Sequence, residues 1–251
     1  MLRAVAIIGV LGLCLSVPVI ADPGVQFSAK AVQSAAGGQP RESLIYVGEN
    51  QVRMERWQDN ASMVEIYDLN AKRLLLLMPQ QKMYMQTELP EDAINNPMLP
   101  QTTHDFCDTL PDASCKKLGN ESLYDRSVSK WEVTVNNGNR VLRSLHWIDD
   151  QRSMSLRDVW PDASVTQMKL IGMVYLDGRN TEHWQRITAF ISGKKDISMQ
   201  WYDPELKIIT REELPGGFFR ALEDIEVAPQ PASLFMAPTD YRQIDTNAAG
   251  Q

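Results

Sequence analysis

One pattern returns at a fixed distance along this chain, and it restricts the folds open to it. Gly119, Arg126 and Trp131 recur as Gly172, Arg179 and Trp184, an offset of 53. Trp147–Ile148–Asp149 recurs as Trp201–Tyr202–Asp203, an offset of 54, and Arg157 and Arg211 keep that offset. A third echo is Ile66–Tyr67–Asp68, ahead of Lys72–Arg73. Around these markers the dominant period is two. Val52, Met54 and Arg56 alternate with Arg53, Glu55 and Trp57, and Trp131, Val133 and Val135 with Lys130, Glu132 and Thr134. Trp184, Arg186, Thr188 and Phe190 alternate with Gln185, Ile187 and Ala189, and Ile197, Met199 and Trp201 continue the pattern. Short alternating runs rich in aromatic and β-branched residues, bounded by Gly, Pro, Asn and Asp, read as antiparallel strands.

Each echo is strand, Asp-led turn, strand, so the repeat unit is a hairpin pair. The Asp carboxylate accepts backbone N–H bonds and holds the tight turn, which makes these residues turn-formers before they are catalysts. Arg73–Met78 carries four consecutive Leu, as a strand covered on both faces does. Stacked hairpins predict a mainly β fold: a curved antiparallel sheet, an unclosed half-barrel, with a short helical or loop lid. Helix signals are few. Glu91–Asn96 has room for a turn or two, and Pro231–Phe235 reads as a short helix with Pro near its first turn. The polar stretch Pro90–Lys117 reads as a lid or insertion within a single domain spanning 22–245, followed by a disordered tail at 246–251.

The first residues read as an address. Arg3 precedes an apolar run from Ala4 to Val17, too short for a membrane-spanning helix. Val19–Ile20–Ala21 suits signal peptidase, so cleavage after Ala21 and export to the periplasm are expected. A lipid anchor on Cys14 is disfavoured, because Leu13 stands where a small residue is needed. Removing Cys14 leaves Cys107 and Cys115, eight apart. In an oxidising compartment this pair is expected to form a disulfide worth about 2.5 kcal/mol on the chain-entropy model.

Several chemistries are disfavoured. The net charge of −7 supplies no basic excess for nucleic acid. There is no nucleophile elbow, Walker loop, dinucleotide fingerprint or zinc-protease motif. His104, His146 and His183 have no metal-ligand spacing, and Gln200 stands at the repeat position of His146, so an imidazole is not required there. Glu212–Glu213 and Asp149–Asp150 read as turn or strand-end charges. The protein is therefore expected not to be an enzyme and to need no cofactor. The recurrent Arg126, Arg179, Arg157 and Arg211 read as structural partners of cross-strand carboxylates, with an anionic head group as the alternative. Twelve Met occur, six of them between Met54 and Met98. Met78, Met83 and Met85 form the densest group. Thioethers of this kind bind Cu(I), but the simpler reading is core and cavity lining.

Five segments resemble the periplasmic lipoprotein-carrier superfamily, the LolA/LolB-like fold, in a poorly characterised branch that carries a domain of unknown function. They are Gly48–Trp57 (GENQVRMERW), Ile66–Met85 (IYDLNAKRLLLLMPQQKMYM), Lys117–Val133 (KLGNESLYDRSVSKWEV), Gln200–Arg211 (QWYDPELKIITR) and Ser233–Arg242 (SLFMAPTDYR). The last has the pattern Phe-x-x-Pro-x-x-Tyr. The resemblance implies an unclosed barrel wrapped around a short lid, with an apolar cavity that shields acyl chains in transit. This chain departs from the authentic carriers in its Pro90–Lys117 insertion and its scarcity of helix. The apolar positions expected to line the cavity are Met54, Val64, Ile66, Leu76, Met83, Met85, Trp131 and Trp184. The expected partner is a lipid, an acyl chain or another apolar ligand, with a role in outer-membrane trafficking. The alternative is a structural or sensory protein that docks an envelope protein.

Overall fold

The computed structural model describes residues 24–58, 61–89, 113–136, 138 and 140–244. The signal segment, the Glu91–Asn96 turn, Cys107 and the tail lie outside the described residues. The strands are β1 Phe27–Ser34, β2 Arg41–Val47, β3 Gln51–Gln58, β4 Ala61–Asp68, β5 Arg73–Met78, β6 Met83–Glu88, β7 Ala113–Leu123 and β8 Arg126–Asn136. They continue as β9 Val141–Asp149, β10 Ser155–Val159, β11 Val165–Leu176, β12 Arg179–Ala189, β13 Lys195–Asp203, β14 Ile208–Glu213, β15 Phe219–Val227 and β16 Arg242–Gln243. All sixteen belong to one sheet in the order β16-β6-β5-β4-β3-β2-β1-β15-β14-β13-β12-β11-β10-β9-β8-β7. The two ends do not pair, so the sheet is an open half-barrel. Every pairing is antiparallel except the two-residue β16, which runs parallel to β6.

The repeat seen in the sequence is a repeat of four strands. Shifted by 53, β8 falls on β12 residue for residue, and shifted by 54, β9 falls on β13. Both copies carry a β-bulge at the same place: at Leu118, before Gly119, and at Ile171, before Gly172. Both carry a second at Leu156 and Thr210. Bulges insert one residue and bend the strand, so a bulge repeated in register curls the sheet twice in the same sense. The curl is visible in contacts between strands that are not neighbours. Arg126 of β8 lies four strands from β12, yet its guanidinium stands 5.0 Å from the Trp184 ring centre.

Three apolar clusters fill the fold. One joins Phe27, Ala29, Ile45, Val47, Val52 and Leu222 to Leu206 and Ile208. A second runs through Val128, Trp147, Leu156, Met168, Trp184 and Tyr202, one residue from each of six successive strands. The third packs Val64, Ile66, Leu75 and Leu77 against Phe235. Leu74, Leu75 and Leu77 are all buried, so the leucine-rich strand is covered on both faces as its composition predicts.

The predicted short helix at Pro231–Phe235 is a 3₁₀ helix, Ala232–Phe235, and it acts as the cap of the third cluster. Gly48 makes that seat: a Cβ there would stand 2.9 Å from the Phe235 ring. Arg53 Nη1 donates to the Leu234 carbonyl at 2.8 Å and pins the same segment. The structure also shortens the predicted insertion. Residues 113–117 belong to β7, because Cys115, Lys116 and Lys117 pair with Val133, Glu132 and Trp131. The polar side chains that read as loop are those of an edge strand, where charge discourages further pairing.

Candidate functional site

The repeated polar residues are scaffold. Asp149 Oδ1 accepts the N–H groups of Gln151 and Arg152 at 2.8 and 3.0 Å. Asp203 Oδ1 accepts those of Glu205 and Leu206 at 2.9 and 3.0 Å. Asp68 Oδ1 does the same for Ala71 at 3.0 Å. Each carboxylate also meets a side chain from the start of the preceding strand: Arg126 on Asp149, Arg179 on Asp203, and Gln51 on Asp68. Burial pushes the Asp68 carboxyl up, but the Ala71 N–H, the Gln51 amide and Arg73 outweigh it and hold it below the usual carboxylate range. The Asp203 carboxylate raises the Arg179 guanidinium above its ordinary value.

Arg157 and Arg211 do something else. Each stands over an indole, 5.0 Å from Trp147 and 5.3 Å from Trp201. Lys130 covers Trp147 from the other side at 4.7 Å, and His183 stacks on Trp201 at 4.5 Å. Lys130 and His183 occupy one repeat position, so each copy holds a three-strand sandwich of cation or imidazole, Trp and Arg.

Cross-strand partners share a face, and a continuous chain of them traces the inner side of the sheet. Trp184 pairs with Gln200, Gln200 with Glu212, and Glu212 with Arg220. Leu222, on the same side of β15 as Arg220, pairs with Ala31. Ala29 pairs with Ile45, then Met54, Glu65, Leu76 and Met85 follow. In the other direction Thr188 pairs with Thr166, Asp158, His146 and Trp131 in turn. Six of the eight predicted cavity residues therefore lie on one face: Met54, Leu76, Met83, Met85, Trp131 and Trp184. Val64 and Ile66 turn to the opposite face, where Phe235 covers them.

The two ends of the inner face differ. Around Trp184 it is closed by its own side chains. Trp184 is 1% exposed. Arg152, in the β9–β10 turn, places two guanidinium nitrogens on Glu182 at 2.6 and 2.7 Å. Burial raises the Glu182 carboxyl, but Arg152 and the Trp184 indole N–H overcome this and hold it below the usual range. Burial pushes the Tyr202 phenol up to about 12. Over β3–β6 the face is a floor of half-buried apolar side chains, Met54, Leu76, Met78, Met83 and Met85, with Met63 at 46% exposure. Arg242 Nη2 rests 3.4 Å from the Met83 sulfur at its edge. Among the described residues no group of His, Cys, Asp or Glu could hold a metal ion.

One array has the order of atoms of a catalytic relay. Ser144 Oγ lies 2.7 Å from His146 Nε2, and His146 Nδ1 lies 2.7 Å from Asp158 Oδ1. The second copy makes a comparable tie with other side chains. There Ser198, Gln200 and Glu212 stand at the equivalent positions, with Gln200 Nε2 donating to Glu212 at 2.6 Å. The same cross-strand tie is made without an imidazole, as a structural pair requires.

Beside this array is a shallow cleft of about 650 Å³, lined by Arg140, Leu142, Trp160, Pro161, Asp162, Ser164, Thr166, Arg186, Thr188 and Phe190. Trp160 joins it to the relay, its ring edge-on to His146 at 5.5 Å. Arg152, Glu182 and Arg186 are the residues a sequence reading misses. Their partners, or lack of them, depend on which strands the curl brings together.

No protein-family model matches this chain, and no curated protein matches it. Solved structures do align over most of its length. A LolA superfamily protein from Nitrosomonas europaea matches at 14% identity and a TM-score of 0.38, over 86% of this chain and 92% of the other. A DUF1329 family protein from Desulfovibrio piger matches at 13% and 0.33, over 86% and 91%. An uncharacterised conserved protein from Thermus thermophilus matches at 8% and 0.32, over 88% and 91%. The likeness is loose, and the site stands on the strand register and contacts described above.

Proposed function

We propose that this is an exported, non-enzymatic binding protein that holds an acyl chain or similar apolar ligand on the methionine floor of β3–β6. The observation that carries this reading is the contrast between the two faces of the same strands. One is sealed by Phe235 from the chain's own C-terminal segment; the other presents half-buried Met and Leu side chains. Thioethers are flexible and polarizable, so such a floor adapts to chains of varied shape. A single domain entering the periplasm after cleavage at Ala21, with Cys107 joined to Cys115, completes the proposal. A role in outer-membrane lipid or lipoprotein traffic follows from that location.

The test is native mass spectrometry of protein purified from periplasm without detergent, beside the Met54→Glu/Met85→Glu double variant. Wild type is expected to carry a mass that an organic solvent removes, and the double variant to arrive bare. A bare wild type, or equal loading of both, overturns the reading. Docking of an envelope protein remains the second reading, favoured by Ile171, Met173 and Tyr175, which are 50, 60 and 71% exposed near the tip of the β11–β12 hairpin. A bare wild type would move the search for a partner to that patch.

A further inference from the structure

The cleft at Arg186 departs from its scaffold at the positions that line it. Shifting by the repeat offsets, Arg186 falls on Val133, Thr188 on Val135, Thr166 on Ala113 and Trp160 on Leu214. The scaffold residues Asp149 and Asp203, Arg126 and Arg179, Trp147 and Trp201 are the same in both copies. The copies agree at these turn and indole positions and differ where the cleft is formed. The largest difference is in charge. Val133 is a buried aliphatic side chain, 4% exposed, whereas its counterpart is a guanidinium.

Among the described residues that guanidinium has no counter-ion. Arg186 is half-buried between Met168 and Ser198, its cross-strand partners, and among the described residues no carboxylate pairs with it. Arg220 on the same face is matched by Glu212, and elsewhere Arg152 is matched by Glu182 and Arg179 by Asp203. The one carboxylate in the lining, Asp162, is already occupied by the N–H and hydroxyl of Ser164 at 3.0 and 2.6 Å. Those bonds, the hydroxyl first, hold it below the usual range and so charged. The hydroxyl of Thr166 is likewise engaged, accepting from Trp160 Nε1 and bonding Thr188, each at 3.0 Å. A half-buried cation without a partner is costly and is stabilised by an anion that brings its own apolar body. Trp160, Phe190 and Leu142 supply the apolar wall for that body.

We propose that this cleft is a second binding site, specific for the anionic head of a small amphiphile, a carboxylate or a phosphate, with Arg186 as the recognising group. It goes beyond the acyl-chain reading of the methionine floor, because it selects for charge and lies at the other end of the inner face.

The test titrates the full mature chain by calorimetry with octanoate, octyl phosphate and octanol, which share a tail and differ in head. Wild type is expected to bind octanoate or octyl phosphate about tenfold more tightly than octanol, the gap one charge-assisted hydrogen bond supplies. Whichever anion binds tighter names the source, fatty acid or phospholipid head. Arg186→Val, the residue the other copy uses there, should erase that preference and leave octanol unchanged. Arg186→Lys should keep part of it. Equal binding of octanoate, octyl phosphate and octanol by wild type overturns the proposal, as does an anion preference that survives in Arg186→Val. Should Arg186→Val fail to fold by circular dichroism, the wild-type comparison and the lysine variant still decide.

Discussion

The inner face over β8–β14 and the inner face over β3–β6 are built on the same strand–turn–strand plan, and they put it to opposite uses. In the first region the face satisfies itself around Trp184, away from the cleft at Arg186. Trp184 is sealed, Glu182 is met by Arg152 from a turn three strands away in the sheet order, and Gln200 is bonded to Glu212. In the second the turn is retained, with Asp68 accepting the Ala71 N–H as Asp149 and Asp203 accept theirs, but Met and Leu side chains are left half-open around Glu65, which Arg56 and Tyr67 meet. The difference teaches that the Asp-led turn and the alternating strand specify the sheet alone. What the sheet can hold is set by the residues between those markers.

The comparison makes Trp184 the residue whose loss costs most. Trp184→Ala should remove about 4 kcal/mol, as deletion of a sealed aromatic does, and lower the urea midpoint accordingly. Met85→Ala, on the open floor, should cost under about 1 kcal/mol. Similar costs at the two sites would break the contrast. Next in size is Arg152→Ala, expected to cost about 3 kcal/mol by leaving the Glu182 carboxylate buried without its partner. The double variant Arg152→Met/Glu182→Leu should recover most of that loss in the same denaturation assay. A double variant no better than Arg152→Ala would show that the pair does more than neutralise itself.

The smallest effect is one of pH. Glu182 and Asp68 are both held below their ordinary values. A carboxylate of that kind contributes stability that is fully present above its unfolded pKa, about 4, and is lost as pH falls through the lowered folded value. Urea midpoints at pH 7 and pH 3 should therefore drop less for Glu182→Gln than for wild type. Equal drops would mean that Glu182 is not among the groups driving acid unfolding.

Much of this was legible in the sequence because the repeat is marked by residues whose job is local. Asp149 and Asp203 hold turns within a few residues, Gly119 and Gly172 follow bulges, and Trp147 and Trp201 alternate cleanly. Period and offset alone place β8, β9, β12 and β13. The pairing of Arg126 and Arg179 with cross-strand carboxylates was readable in the same way; the stacking of Arg157 and Arg211 on indoles was not. Face was the harder matter. Val64 and Ile66 are as apolar as Met54 and Leu76, and only the register of β4 against β5 separates the side sealed by Phe235 from the open floor. Residues 113–117 look like loop because an edge strand carries the same polar side chains. Arg186 reads as one more alternating polar residue until the curl shows that no described carboxylate meets it.

The placement of Phe235 has a consequence for the order in which this protein can be made. β1 hydrogen-bonds to β15, and the cap over Val64 and Ile66 is synthesised long after the strands it covers. The earliest hairpins to emerge from the ribosome thus carry leucine-rich strands whose covering side chain does not yet exist. Pairing at such separation is slow to form, and exposed strands of this kind aggregate while they wait. A copy that stops short of Phe235 leaves that face of β4 and β5 uncovered, and so is a sticky one.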